Sequence, residues 1–316
     1  MFKKVAVGMS GGVDSAVTAF LLKKANYQVE GVFMRNWDSN YEGGFCSDEK
    51  DFEDASNNLS VDAIATGHYA DTSFGPFLEH YKEDQKVKLL QPADKHKDQT
   101  FFLSQVKQFS LRKCMFPLAR YLKSEVREIA RQEGLINVAS KRDSTGICFI
   151  GKKRFKNFID EFIPEKKGNF IDIDTGQIVG EHSGIHKWTV GQRCCLCNWR
   201  DAYFVFKKDI VTNNIYVVPG TKHPALWNNL CFTNIPHWIC EEPIELTKNG
   251  VLKCFFRFQH TKLLVPCRVV KNTEGLTILL DHKLRALTEG QFGVLYKDGE
   301  CLGSAKITNI FKNLIY

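Results

Sequence analysis

Six consecutive residues near the N-terminus have the composition of an anion-binding turn: Ser10-Gly11-Gly12-Val13-Asp14-Ser15. Glycines let the backbone turn tightly, so that several N–H groups point at one anion. The hydroxyl groups of Ser10 and Ser15 add donors, and a helix beginning here adds the positive end of its dipole. Because Asp14 would repel a bare phosphate, a Mg²⁺ ion that bridges the two is the sensible arrangement. The Gly-Lys-Ser/Thr ending of a Walker A loop is absent, and the alternative is an ordinary strand-to-helix turn with a Ser or Asp cap.

A second candidate for chemistry is Cys148, which lies between Gly146 and Gly151. Neighbouring cations lower the pKa of a thiol and increase the thiolate fraction that acts as a nucleophile. Basic residues flank this stretch on both sides: Lys141, Arg142, Lys152 and Lys153. The alternative is a buried structural cysteine, since free cysteine is among the most buried residue types. The residues alone leave both interpretations open.

Strands alternate with a helix over the first seventy residues. The pattern predicts strands at residues 5–9, 29–34 and 62–66 and a helix over residues 13–24. This alternation is typical of a parallel sheet, whose ligands bind at the carboxyl ends of the strands. The loop of residues 10–15 and the pair Gly67-His68 both follow such strand ends, which predicts that they share one site.

The predicted secondary structure changes twice in the remainder of the chain, first to helices and then to strands. Residues 100–106 and 124–132 have the spacing of amphipathic helices, and Gly134 is a candidate C-cap. Beyond about residue 151, short alternating segments separated by turn residues predict a β-rich half with a barrel at its end. The predicted organisation is therefore an α/β nucleotide-binding domain over residues 1–150, a small β-rich central domain over 151–220 and a C-terminal β-barrel over 221–316.

The composition is that of an ordinary globular protein. The 316 residues are 43% hydrophobic and 25% charged, which suits two or three domains. No stretch approaches the roughly 20 apolar residues that a membrane helix needs, so we expect a soluble protein with no membrane partner. A net charge of +7 permits a nucleic-acid partner without requiring one.

Eleven cysteines accompany an N-terminus that has no secretory signal, which predicts a reducing compartment and mostly free thiols. The first residues also do not resemble an Arg- and Ser-rich transit peptide. Composition therefore leaves the cytoplasm and an organelle equally open.

The loop of residues 10–15 resembles the PP-loop of the ATP-pyrophosphatases. Further blocks narrow the resemblance to the tRNA-specific 2-thiouridylases, in their mitochondrial animal form. These blocks are residues 31–38, 65–70, 97–104, 144–151, 189–193 and 257–258. Six ordered blocks spread over nearly the whole chain are far more specific than any one of them.

This resemblance implies an adenine nucleotide alpha-hydrolase-like first domain and a reaction. Sulfur replaces the 2-oxygen of the wobble uridine in certain tRNAs: ATP adenylates that oxygen with release of pyrophosphate, and a cysteine persulfide supplies the sulfur. Cys148 matches the persulfide cysteine. The resemblance implies ATP and Mg²⁺ as cofactors, tRNA and a persulfide-carrying sulfur-donor protein as partners, a monomer, and work in the mitochondrion, or otherwise in the cytoplasm.

The same resemblance assigns binding residues. Lys97, Asp98, Gln99, Arg257 and Phe258 correspond to tRNA contacts. The ATP-binding positions are Gly8, Met9, Ser10, Gly11, Gly12, Val13, Asp14 and Ser15, with Met34 at the adenine and Gly67 where the nucleotide approaches.

Each of these assignments has an ordinary alternative on the residues alone. On spacing alone, a core methionine is favoured for Met34 and a helix cap for Asp98. Arg257 and Phe258 lie on a predicted strand, where alternation exposes half of the side chains in any case. His68 stays open between a ligand contact and a satisfied cap.

The chain departs from the family pattern between residues 55 and 61. Family members place several dozen more residues there, including the first catalytic cysteine, which resolves the persulfide. No residue of this chain matches that cysteine, and Cys46 matches a different position. We therefore hypothesise that the chain keeps an ATP site but does not complete thiolation.

A second departure is Cys194-Cys195-Leu196-Cys197, where the family has a glycine-rich stretch. No second Cys or His cluster accompanies it at zinc-like spacing, so we expect no metal site there.

Two other functions remain open at this point. One is a non-catalytic tRNA-binding protein that retains only the scaffold, which the missing cysteine favours. The other is a PP-loop enzyme that adenylates a small molecule. The triplet Lys97-Asp98-Gln99, Cys148 and the β-rich half argue against it.

Overall fold

The structure is a computed structural model that describes residues 2–33, 60–141, 158–196, 201–260 and 263–311. Met34, Cys46, Cys148 and Cys197 lie outside the described residues.

A four-stranded parallel sheet forms the core of the first part of the chain. Its strands are β1 (Lys4–Gly8), β2 (Gln28–Val32), β3 (Ala63–Ala65) and β6 (Cys114–Met115), in the order β2-β1-β3-β6. Val5, Val7 and Ala65 are fully buried, as expected for parallel strands covered on both faces. The predicted fold class and the three predicted strands are confirmed, with bounds that differ by one or two residues.

Helix α1 (Val13–Lys24) follows β1 directly and has the bounds predicted from the sequence. The short helix α2 (Gln108–Leu111) precedes β6. Helices α3 (Lys123–Gln132) and α4 (Ile136–Ala139) pack with α1 through a buried apolar cluster that includes Val17, Leu118 and Val126. Gly134 ends α3 with a φ of +75°, the left-handed conformation that glycine adopts without strain.

The helix predicted over residues 100–106 does not form, and this prediction is wrong. The segment instead makes single turns, such as the bond from the N–H of Phe102 to the carbonyl of Gln99 (3.0 Å). Its polar side chains bond to the C-terminal part of the chain: the amide of Gln105 lies 2.6 Å from Ser304 Oγ, which itself lies 2.9 Å from Ser104 Oγ. Contacts with a distant strand therefore override the helical spacing.

The middle of the chain forms a five-stranded sheet in the order β8-β7-β11-β10-β9. Its strands are β7 (Gly168–Asp172), β8 (Ile178–His182), β9 (Arg193–Cys194), β10 (Tyr203–Asp209) and β11 (Asn214–Pro219). Pairing is antiparallel except between β7 and β11, and the core includes Phe170, Val205 and Val217.

Six antiparallel strands close the predicted C-terminal barrel. They are β12 (Trp227–Thr233), β14 (Leu252–Arg257), β15 (Val265–Lys271), β16 (Leu276–Arg285), β17 (Phe292–Lys297) and β18 (Glu300–Ile310). The order is β12-β16-β15-β14-β17-β18, and β18 pairs back onto β12, which leaves no open edge among the six. Phe256, Val269 and Leu295 fill the interior. The short strand β13 (His237–Trp238) pairs with β18, and the short helix α5 (Ile244–Lys248) precedes β14.

A short hairpin from the first part of the chain extends the barrel sheet. Strands β4 (Asp71–Thr72) and β5 (Leu89–Leu90) pair with each other, and Leu89 and Leu90 pair with Cys301 and Glu300 of β18. Val294, Tyr296 and Cys301 accordingly belong to the same apolar cluster as the parallel sheet. The domain limits at residues 150 and 220 stay predictions. Among the described helices, none combines the length and apolarity needed to cross a membrane.

Candidate functional site

The turn of residues 10–15 lies where β1 ends and α1 begins, as the sequence predicts. Gly11 has a φ of +72°, a backbone conformation that other residues rarely adopt. The hydroxyls of Ser10 and Ser15 lie 3.3 Å apart, and Ser15 Oγ donates to the carbonyl of Gly12 (3.1 Å). In the first turn of any helix, the N–H groups have no acceptor within the helix. The two serines and the start of α1 therefore form one cradle of donors suited to phosphate oxygens.

Asp14 in this cradle is held by two side chains from elsewhere in the chain. Lys123, at the start of α3, places its Nζ 2.6 Å from both carboxylate oxygens, and the Tyr69 hydroxyl donates to Oδ1 (3.0 Å). The backbone N–H of Lys123 donates to Asp94 Oδ2 (3.0 Å), which fixes the end of the helix that carries the lysine. The carboxylate and the ammonium group thus sit together at the phosphate cradle.

Gly67 packs directly against the cradle. A Cβ at this position would lie 2.9 Å from both the carbonyl carbon of Asp14 and the N of Ser15, closer than real Cβ contacts come. The missing side chain therefore makes room for the loop backbone itself. Next to it, His68 Nδ1 lies 3.0 Å from Thr66 Oγ1, and burial lowers the pKa of His68 although the charge of Asp14 opposes this. The imidazole is therefore neutral at pH 7.

Lys141 connects the cradle with the part of the sequence that leads to Cys148. Its Nζ donates to the carbonyl of Gly11 (3.0 Å), and its own carbonyl accepts from Arg127 Nη2 (3.0 Å). Cys148 follows seven residues later in the sequence, outside the described residues. Lys141, the last described residue before Cys148, therefore contacts the loop of residues 10–15.

Of the five predicted tRNA-contact residues, Gln99 is tied to the cradle. Its side-chain Oε1 accepts from the N–H of Tyr69 (2.8 Å), and its own N–H donates to the Tyr69 carbonyl (2.9 Å). The Tyr69 hydroxyl donates to Asp14, so Gln99 holds in place the tyrosine that orients the Asp14 carboxylate.

Asp98 and Arg257, also predicted tRNA contacts, form an ion pair with each other in the interior. Arg257 Nη1 lies 3.2 Å from Asp98 Oδ2, and their side chains are 8% and 1% exposed. Asp98 also accepts from Gln91 Nε2 (2.7 Å) and from the N–H (3.0 Å) and hydroxyl (2.6 Å) of Thr100. The pair joins the first part of the chain to the barrel. Both side chains are thus committed to contacts within the chain.

Phe258 is only 1% exposed and packs in the barrel core, whereas Lys97 is half-buried at the surface. The structure thus brings residues 10–15 and Gly67 together in one site. It separates Lys97, near the surface, from the interior positions of Asp98, Arg257 and Phe258. The tRNA-contact and ATP-contact assignments stay predictions.

Three further residues belong to the site although the sequence did not predict them: Lys123, Tyr69 and Asp94. Lys123 gave no signal of its own, because a lysine at the start of an amphipathic helix is ordinary. The sequence could have indicated Tyr69, because this residue lies inside block 65–70, one of the blocks that carry the resemblance.

No disulfide joins the cysteines within the described ranges, and most of these cysteines are buried. Burial raises the pKa of Cys114 to about 12 and that of Cys231 to about 12, so neither supplies a thiolate at neutral pH. Cys194 is buried and Cys195 exposed, and the described residues contain no group of three or more metal-ligating side chains.

Family models match almost the whole chain. One described as "tRNA methyl transferase HUP domain" matches residues 3–58 and 52–152, and "tRNA methyl transferase PRC-barrel domain" matches 156–219. "Aminomethyltransferase beta-barrel domain" matches 228–307. The fold and the cradle thus define an ATP-using α/β domain of the HUP class followed by two β-domains.

Similar curated proteins show to which family within this class the chain belongs. The chain is 42% identical to "Mitochondrial tRNA-specific 2-thiouridylase 1" of Drosophila melanogaster, over 97% of this chain and 94% of the relative. It is 38% identical to the protein of that name in Homo sapiens (98% and 91%) and 35% identical to "tRNA-specific 2-thiouridylase MnmA" of Staphylococcus aureus strain JH9 (98% and 96%). The chain belongs to the tRNA-specific 2-thiouridylase family.

Two details of these matches concern the predicted internal shortening. The HUP model matches in two pieces that meet at residues 52–58. The Drosophila alignment spans 366 positions against a chain of 316 residues, so at least 50 positions face gaps in this chain. The shortening near residues 56–61 and the loss of the first cysteine both stay predictions.

Proposed function

We propose that this chain activates the wobble uridine of tRNA with ATP and replaces its 2-oxygen with sulfur. The observation that carries the proposal is the phosphate cradle with Asp14, found within a family match over nearly the full chain. tRNA is the substrate, and the relatives compared are named as enzymes that thiolate it. A methyltransferase that uses a sulfonium donor has no need of an ATP-splitting loop, so the cradle favours thiolation.

The cradle serves the adenylation step. The uridine 2-oxygen attacks the α-phosphorus of ATP, the α–β phosphoanhydride bond breaks, and pyrophosphate leaves. The N–H groups at the start of α1 and the hydroxyls of Ser10 and Ser15 hold the departing pyrophosphate. The ammonium group of Lys123 adds a positive charge where negative charge develops.

Mg²⁺ fits this site. A carboxylate offers about four acceptor positions, and the described bonds from Lys123 and Tyr69 to Asp14 number three. Asp14 and the phosphate oxygens would hold the ion, which would neutralise the charge on the leaving pyrophosphate. Tyr69 and Lys123 keep the carboxylate oriented for this role.

Cys148 carries the sulfur in this proposal. The outer sulfur of a persulfide on its Sγ, supplied by a sulfur-donor protein, attacks C2 of the activated uridine and displaces AMP. A second thiol then attacks Cys148 Sγ, breaks its bond to the transferred sulfur and forms a disulfide with Cys148. The contact between Lys141 and Gly11 supports the assignment, because Lys141 is the last described residue before Cys148 in the sequence. Seven extended residues span at most about 25 Å, a length that would allow a persulfide on Cys148 to meet a base activated at the cradle.

The family mechanism needs a second cysteine to resolve the persulfide, and this chain has no counterpart of it. We propose that adenylation is retained, that the chain does not complete thiolation by its own residues, and that a thiol from outside the chain releases the transferred sulfur more slowly than adenylation proceeds. The animal relatives compared are named mitochondrial, and we place the work of this chain in the mitochondrion.

The two steps are measured separately on the purified chain. ATP–pyrophosphate exchange in the presence of unmodified tRNA reports adenylation, and mass spectrometry of digested tRNA reports 2-thiouridine after addition of a persulfide donor. We expect tRNA-dependent exchange that Asp14→Asn abolishes, and 2-thiouridine at less than one equivalent per activated uridine. Absence of exchange would refute the adenylation role. Full stoichiometric thiolation that survives Cys148→Ser would refute the role of that cysteine.

A further inference from the structure

Two cysteines of the barrel face each other across neighbouring antiparallel strands. Cys254 on β14 and Cys267 on β15 are directly opposed in the strand register. Their Sγ atoms lie 3.5 Å apart, within the distance of a hydrogen bond between two thiols. Both residues belong to the apolar cluster inside the barrel that includes Phe256 and Val269. The fold of the barrel therefore brings into contact two thiols that are 13 positions apart in the sequence.

This arrangement meets the geometric requirements of a disulfide. Directly opposed residues of an antiparallel pair have Cα atoms about 4.5 or 5.5 Å apart, and both values lie within the range of about 4.4–6.8 Å found for disulfides. The two sulfur atoms need to approach each other by about 1.5 Å to reach the bond length of about 2.05 Å. Rotation of the two side chains can close such a gap, so the strands can keep their pairing.

The contact between the two thiols makes them chemically different. The hydrogen bond to Cys254 raises the pKa of Cys267, and burial raises this pKa further, so Cys267 keeps its proton. Cys254 is the more exposed of the two, at 6% against 3%. Burial slows reaction with an external reagent and excludes bulky ones, whereas a step between two sulfur atoms already in contact is fast. A small oxidant therefore reacts first with Cys254, and Cys267 reacts second.

We propose that Cys254 and Cys267 form a redox-responsive site, at which a peroxide converts the two thiols into a disulfide that joins β14 to β15. Hydrogen peroxide oxidises Cys254 Sγ to a sulfenic acid and releases one water. Cys267 Sγ then attacks this sulfur, the S–O bond breaks, and the departing hydroxide takes the Cys267 proton to form a second water. The two thiols lose two electrons, which the peroxide gains. The disulfide fixes the strand that also carries Arg257.

Peptide mapping of the purified full chain tests this site. Trypsin cleaves after lysine and arginine, which places the two cysteines in separate peptides of residues 254–257 and 263–268. After the folded, reduced chain is treated with hydrogen peroxide and the remaining thiols are blocked, we expect mass spectrometry to find these peptides joined. Dithiothreitol should separate them again. Because a disulfide restricts the unfolded chain, the oxidised protein should unfold at a higher urea concentration, with an equilibrium constant of unfolding about 100-fold lower.

Cys231 on β12 supplies the matched control. It is buried in the same barrel core, but its partners in the strand register are Ile278 and Ile310 rather than a cysteine. Cys231→Ala should still give the joined peptides, whereas Cys267→Ala should lose both the joined peptides and the shift in urea midpoint on oxidation. The proposal would be overturned if the joined peptides were absent from the oxidised parent, or appeared only after the chain had been unfolded in urea. Joined peptides with an unchanged urea midpoint would likewise refute a disulfide that stabilises the barrel.

Discussion

The ion pair between Asp98 and Arg257 gives the most discriminating prediction about this protein. The family resemblance predicts that both residues contact tRNA. The structure places both side chains in the interior, Asp98 in the first part of the chain and Arg257 in the barrel. We consider Arg257→Leu, which removes the guanidinium group and leaves an apolar side chain against the ring of Tyr296, now 5.4 Å from Arg257 Cζ. Asp98 then remains a buried charge without its cation.

The loss in free energy of unfolding depends on which hydrogen bonds Asp98 keeps in the variant. Removing one partner of a buried pair costs about 3–5 kcal/mol of the free energy of unfolding. Asp98 keeps its bonds to Gln91 and Thr100, and the lost contact is a single bond of 3.2 Å. We therefore expect about 3 kcal/mol for Arg257→Leu, at the low end of that range. Asp98→Ala loses every one of these bonds and should cost about 5 kcal/mol.

Urea unfolding followed by circular dichroism measures this change. With a slope of about 3 kcal/mol per molar, a loss of 3 kcal/mol lowers the midpoint by about 1 M. Adding Asp98→Asn to Arg257→Leu should raise the midpoint again, because it removes the unpaired charge and keeps most of the hydrogen bonds. The interaction energy between neighbouring sites in such a cycle is about 0.5–3 kcal/mol.

Arg268 on the neighbouring strand β15 is exposed and serves as the control, so Arg268→Leu should leave the midpoint in place. The interior role would be refuted if Arg257→Leu unfolded at the same urea concentration as the parent and lost tRNA affinity with a smaller salt slope. That outcome would instead support the sequence-based assignment of Arg257 to a phosphate.

Three further predictions concern the cradle and the central sheet. Gly67→Ala places a methyl group 2.9 Å from the backbone of Asp14, so ATP affinity measured by calorimetry should fall at least 10-fold, and an unchanged affinity would contradict this packing. Lys123→Met removes the cation on Asp14 and should slow AMP formation about 100-fold in a radiolabelled ATP assay, whereas Lys123→Arg should recover part of the rate. Burial and the bond to Asp172 raise the pKa of Tyr203 to about 12. The folded state therefore holds the phenol proton more tightly than the unfolded state does. The resulting contribution to the free energy of unfolding is full below pH 10 and is lost as pH rises from 10 to 12. In Tyr203→Phe, the urea midpoint should therefore depend less on pH over that range.

Local sequence determined the elements that carry the site. The strand, the glycine-rich turn and helix α1 occur with nearly the predicted bounds, because the apolar run, the glycines and the helical spacing are all set within about twenty residues. The β-strands of the second half follow in the same way, since alternation and turn residues such as Asp298-Gly299 are local signals. The six motif blocks indicate to which protein family the chain belongs.

Tertiary structure alone decided which side chains meet at and around that site. Asp14 and Lys123 are 109 residues apart, and Asp98 and Arg257 are 159 apart. The residue type at each position is compatible with many partners, and only packing of the sheet, the helices and the barrel selects one. The same packing replaced the predicted helix at residues 100–106 with turns that bond to β18, and it brought Asp98 and Arg257, whose tRNA contacts stay predictions, into an interior ion pair. Sequence periodicity specifies which face of an element is buried, whereas the partner across the interface depends on the whole fold.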